Sequence, residues 1–163
     1  MTTPTHILVG ISIARIATHF GLVPDSVQTY MISAISANIP DLDVLKYGIN
    51  PAHHKSLLHK PFIWFVLITL LTVSALTPYP ILSIPELWLF SIGLFSHFIL
   101  DTGNYTEGVQ WFWPFSTHVY HYFKLIQKPD TAKKVFNVFI KSSQIKMDLA
   151  VSTAAMGMLF LIR

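Results

Sequence analysis

The chain has 163 residues, 52% of them hydrophobic and only 12% charged, with a mean hydropathy of +0.52 and a formal net charge of +3. This is more apolar and less charged than a soluble domain of that length, and it predicts a single membrane-embedded domain over residues 1–163. Having no cysteine, the chain can build neither a disulfide framework, a thiolate zinc site nor a cysteine nucleophile, so imidazole and carboxylate remain as the strong metal ligands.

Apolar runs and their punctuation predict an all-α integral membrane bundle of five helices. The first covers about 6–20 and closes at Gly21; Pro24, Asp25 and Ser26 then supply the turn and cap of a second over about 27–39. No basic stretch followed by an apolar core and a small-residue cleavage site precedes the first helix, so no removable signal peptide is expected and His6 stays in the protein. The third helix, about 61–76, carries no charge, and the fourth covers about 86–103. Pro78, Pro80 and Pro85 break the chain between them. The fifth covers about 148–162. At 1.5 Å per residue these pieces span roughly 20 to 28 Å, slightly less than the hydrocarbon thickness of a bilayer.

Lys46, Lys55 and Lys60 precede the third helix, and Lys124, Lys128, Lys133, Lys134, Lys141 and Lys146 lie between the fourth and fifth, whereas the turn at 77–86 has no Lys or Arg. The positive-inside rule places both basic loops in the cytoplasm. Threading the helices under that constraint puts the start of the first, the end of the second and the end of the fourth on the cytoplasmic side. The segment 117–146 is expected to lie as a basic amphipathic element on anionic headgroups, which favours membrane lipids as partners over nucleic acid.

Ionisable residues that recur beside apolar runs are costly to keep and point to function. They are His6; Asp41 and Asp43 in a PDLD turn; His53, His54 and His59; and His97 with Asp101. The last two are four apart, so on a helix they share a face and can reach one ion or two adjacent ions. Asp41 and Asp43 follow Pro40, which is expected to place both in an extended turn, where two such acids repel unless a cation lies between them or one is protonated. His118 and His121 are three apart and form a further pair. Taken singly, each group has an ordinary alternative: a capping turn for PDLD, solvated loop histidines, an interfacial imidazole for His6. Trp111, Phe112, Trp113, Phe115, Tyr120 and Tyr122 read as an interfacial aromatic belt.

The order of these motifs, TH at 5–6, Gly10, PDLD, HHKSLLH and HFILDTGNYTEGVQWFWPFS, resembles the YdjM-like family of membrane-bound metal-dependent hydrolases, also described as LexA-binding inner-membrane-associated hydrolases. The resemblance runs from about Thr5 to Ser116. Matched to the family's TH, PDxD, HRGxTH, and HxxxD followed by Gly and Trp-Pro, it selects His6, Asp41, Asp43, His54, His59, His97, Asp101, Gly108 and Pro114. Lys55, Ser56 and Leu58 depart from the Arg, Gly and Thr of that pattern; lysine keeps the charge but not the bidentate fork.

The resemblance implies distant kinship with zinc-dependent phospholipases C. It further implies a divalent metal, zinc or else manganese or iron, with a second ion held by His6 and the far oxygen of Asp101. The reaction it implies is hydrolysis of a phosphoester or phospholipid-like substrate by metal-activated water, with Asp41 or Asp43 as base. A non-enzymatic membrane scaffold or regulator with a structural metal is the alternative. A proton-coupled transporter fits less well, because the ionisable groups gather at one face and not near the bilayer midplane. Residue types alone set no oligomeric state.

Overall fold

A computed structural model describes residues 2–43, 56–103, 108–122 and 143–162. Among these residues there are five α-helices and no strand: α1 (Thr3–His19), α2 (Val27–Ser36), α3 (Pro61–Ala75), α4 (Ile84–Asp101) and α5 (Ser143–Leu161). His53, His54, Lys55, Asn104 and most of the basic segment, 123–142, lie outside the described residues.

Local chemistry accounts for the helix boundaries. Ser26 caps α2, its Oγ accepting the Thr29 N–H at 3.2 Å. Pro61 begins α3 where its missing N–H costs nothing. At the start of α4, Ser83 and Glu86 close a reciprocal capping box, moving that helix two residues ahead of the predicted start. Helix α2 stops at Ser36, earlier than expected. The Asn38 side chain donates to the Ala34 carbonyl at 2.8 Å, and the chain tightens into a 3-10 helix over Ile39–Asp43. The aspartates therefore do not sit in an extended turn. With three residues per turn, positions two apart point well away from each other, so Asp41 and Asp43 diverge.

Helix α4 is the centre of the bundle, touching α1, α2 and α3, while α1 also packs on α2 and α5. Its 18 residues are apolar and long enough to cross a membrane, spanning about 27 Å; α3 is a shorter apolar helix. Close approach of α2 and α4 depends on Gly93: a Cβ there would overlap Ser36 Oγ and come within 2.9 Å of the Ser33 carbonyl. Ser33 Oγ in turn donates to the Gly10 carbonyl at 2.7 Å, tying α2 to α1. Trp64, Leu94, Phe98 and Val109 form the buried core, with Trp111, Ile39 and Leu58 against it.

After α4 the chain makes a small hairpin joined by one bridge, Val109 to Tyr120. Gly108 opens it at φ +64°, and any Cβ there would collide with the Tyr120 carbonyl. The hairpin is fastened to the end of α4 by Trp111 Nε1, which donates to Thr102 Oγ1 at 2.9 Å, and by the Tyr122 N–H on the Thr102 carbonyl. His118 and His121 fall on this hairpin, and His118 is exposed with its ring against Tyr120.

Candidate metal centre

Three parts of the fold meet at one end of α1 and α4. Helix α1 delivers His6 from its first turn, and α4 delivers His97 and Asp101 from its last. The two 3-10 helices, Ile39–Asp43 and Leu57–His59, deliver Asp41, Asp43 and His59. His6, His59, His97, Asp43 and Asp101 are all buried, while the side chain of Asp41 keeps 16% of its surface exposed.

Hydrogen bonds on the far sides of the rings determine which atoms face inward. His97 Nδ1 lies 2.8 Å from the Ala37 carbonyl. A carbonyl can only accept, so Nδ1 carries the proton and Nε2 of the neutral ring is a bare lone pair. His59 Nδ1 lies 2.8 Å from Asp43 Oδ2, which in the neutral ring leaves Nε2 in the same state. Those two lone pairs face each other at 3.5 Å. They also face two carboxylates: His59 Nε2 is 3.4 Å from Asp41 Oδ1 and 3.8 Å from Asp101 Oδ2, and His97 Nε2 is 3.7 Å and 3.3 Å from the same two oxygens. Four electron-pair donors converging in a buried space repel unless a cation, a proton or a metal, sits among them.

Asp41, His59, His97 and Asp101 can hold a metal ion: one ligand atom from each lies within 4.8 Å of all the others. Tetrahedral ligands at zinc–nitrogen and zinc–oxygen distances of 2.0 to 2.2 Å would stand about 3.3 to 3.6 Å apart. The His59–His97 and the four histidine–carboxylate separations, 3.3 to 3.8 Å, lie at or slightly above that spacing, and the two carboxylate oxygens are within 4.8 Å of each other.

Asp43 and His6 stand outside this group of four. Asp43 holds the back of His59 and also receives the Ser56 hydroxyl, the residue found where the resembled pattern has glycine. This is a carboxylate–histidine pairing of the kind that orients a metal-ligating imidazole. His6 holds the back of Asp101: its Nε2 donates to Oδ1 at 3.2 Å, and its ring stacks on His97 with centroids 4.1 Å apart. Asp101 therefore offers its two oxygens to different partners, Oδ2 to the group of four and Oδ1 to His6. His54 lies outside the described residues.

The electrostatics are consistent with a centre built for positive charge. Burial alone would raise the Asp41 carboxyl, but in the metal-free centre a second proton on His59, donated from Nε2 to Asp41, outweighs it and holds the pKa at about 2. Burial would lower His59, yet Asp41, Asp101 and Asp43 together raise it above its ordinary value of 6.5. Without a metal, a proton on His59 is the cation that the carboxylates draw in.

Residue-type reasoning passed over three contributors. The Ala37 carbonyl sets the His97 tautomer and has no side-chain signature. Ser56 stands out only as a departure from the glycine of the resembled pattern, with no role attached. Asp148 is buried in α5, where Oδ1 accepts the Thr2 N–H at 3.2 Å and secures the start of α1 next to the site. A lone acid inside an apolar helix was a usable signal for Asp148.

Fold and site define an all-helical protein with a membrane-length helix and a buried histidine–aspartate cluster able to bind a metal at one end of that helix. Over residues 1–163 the chain matches the family described as YdjM inner membrane protein. It belongs to that family. No curated protein and no solved structure matches it.

Proposed function

We propose that this protein is a membrane-bound, metal-dependent hydrolase of phosphoesters, with phospholipid-like substrates favoured. The observation that carries the proposal is the convergence of two imidazole nitrogens and two carboxylate oxygens within 4.8 Å of one another inside an inner membrane protein. His59, His97 and Asp101 would be the permanent ligands, a two-histidine, one-carboxylate set of the type found in catalytic zinc sites. Bound there, a divalent ion supplies a Lewis acid that acidifies water and offsets charge developing on a phosphoryl oxygen.

The remaining steps belong to the chain. Asp41, the most exposed member of the group, lies at the outer side with Oδ2 within 3.5 Å of Thr3 Oγ1. There it can accept a proton from water as a general base. Asp43 keeps the His59 ring in orientation, and His6 does the same for Asp101. On the hairpin beside Asp101, exposed Phe112 and Phe115 offer an apolar lip at the depth where a lipid headgroup would enter. Charge distribution favours a multi-pass arrangement with this end in the cytoplasm. Single cysteines at Ser83 and Thr117 should therefore label from opposite sides, Thr117 from the cytoplasm; labelling of both from one side would reverse that assignment.

A specific observation favours the second reading, a structural metal in a scaffold or regulator: four protein ligands make a closed site, and structural zinc sites are closed. Asp41→Asn separates the two. The hydrolase reading expects this variant to keep its metal and lose turnover on a panel of phosphomonoesters, phosphodiesters and phospholipids. Loss of metal together with an inactive, metal-loaded parent protein would establish the structural reading instead.

A further inference from the structure

At the opposite end of the molecule from the metal centre, the last turns of α1 and the first turns of α4 part to form a groove of about 600 Å³. Its size is that of a ligand site. Ile13, Ile16 and Ala17 form one wall and Trp88, Leu89 and Ile92 the other, with Val23 and Pro85 at the mouth. Apart from the Trp88 indole no lining side chain can make a hydrogen bond, too few partners to hold water or a polar ligand inside. One wall is the membrane-length helix α4 of an inner membrane protein, so lipid is the apolar medium at hand to fill the groove.

We infer that this groove binds one acyl chain of a phospholipid from the leaflet opposite the metal centre. Polar groups ring the mouth at headgroup level. Glu86 closes the Ser83 capping box and accepts from Gln28 Nε2 at 2.6 Å, and Asp25 lies two residues beyond Val23. Arg15, the cation nearest this rim in sequence, is already engaged by the Ile162 carbonyl at 2.9 Å and by Asp25 at 3.6 Å. Arg15 and Asp25 balance each other, so Glu86, which accepts from the neutral donors Gln28 and Ser83, leaves a negative charge at the mouth that favours a headgroup carrying an ammonium, phosphatidylethanolamine, over the anionic phosphatidylglycerol. The inference is independent of the hydrolase reading and of the metal's identity.

Native mass spectrometry of the full chain, released from bilayer discs containing equal phosphatidylethanolamine and phosphatidylglycerol, tests it. The expected spectrum is a monomer with one retained phosphatidylethanolamine. Ala17→Trp fills the groove from within and Leu22→Glu puts a charge at its exposed mouth; both should lose that lipid. Metal stoichiometry, set at the other end of the helices, should not change and serves as the check on folding. Should Ala17→Trp fail that check, Leu22→Glu carries the test alone, since Leu22 is on an exposed turn. A parent protein without retained lipid, or variants that retain it as the parent does, would overturn the site. A dimer whose contacts involve Leu22 would give the groove to a second copy, and equal retention of both lipids would overturn the headgroup assignment.

Discussion

Replacing Asp43 tests the division of labour among the carboxylates. Its Oδ2 receives the His59 Nδ1 proton at 2.8 Å and the Ser56 hydroxyl, and it is not one of the four converging ligands. Asp43→Asn keeps the shape and one acceptor oxygen but removes the charge that makes His59 a stronger base. Loss of such an orienting partner typically weakens metal affinity about 10- to 100-fold, or roughly 1.4 to 2.7 kcal/mol. Asn should fall at the low end. Asp43→Ala, which strands the buried His59 N–H and the Ser56 hydroxyl, should fall at the high end. Competition titration against a chromophoric chelator in detergent gives the affinity, and elemental analysis at saturating metal gives the stoichiometry. The expected outcome is weaker binding at unchanged stoichiometry. A fall in stoichiometry at saturation would make Asp43 a ligand, and unchanged affinity in both variants would refute its orienting role.

Asp101→Asn should have a larger effect, with bound metal falling sharply, because this carboxylate serves both the group of four and His6; elemental analysis of the purified variant checks it. His6→Ala should weaken binding while one ion remains, and a drop from two ions to one would reveal a second ion on the Oδ1 side. Gly93→Ala should lower the melting temperature in detergent by an amount equivalent to about 1 to 3 kcal/mol, since its Cβ meets Ser36 and the Ser33 carbonyl. It should also weaken metal binding, because His97 lies one turn further on; a variant as stable as the parent would contradict the packing described. Metal binding must expel the proton drawn to His59, so affinity should fall about tenfold per pH unit below its raised pKa. For the metal-free protein the sign reverses: the stabilisation due to protonated His59 is complete below 6.5 and is lost as pH rises through the raised value. Thermal scans with and without metal across that range should therefore diverge, and parallel curves would remove His59 from the centre.

Much of the architecture was legible without coordinates, because helix formation and the exclusion of charge from lipid are local properties. Uninterrupted apolar runs, Gly21, Pro61 and the prolines around 80 mark five helices, and the absence of cysteine leaves imidazole and carboxylate as ligands. The i,i+4 spacing of His97 and Asp101 places both on one helical face wherever that helix packs. What the linear order leaves open is which carboxylate faces the ion. Asp41 and Asp43 are chemically identical and two residues apart; only the 3-10 path of Ile39–Asp43, and the arrival of His59 from the next 3-10 helix, send one to the ligand group and the other behind the ring. Likewise, nothing in the residue types places the Ala37 carbonyl on His97 Nδ1 or His6 behind Asp101. Those contacts join positions 60 and 95 residues apart, and they form because the small residues on α1, α2 and α4 let three backbones approach closely enough for buried polar groups to satisfy one another.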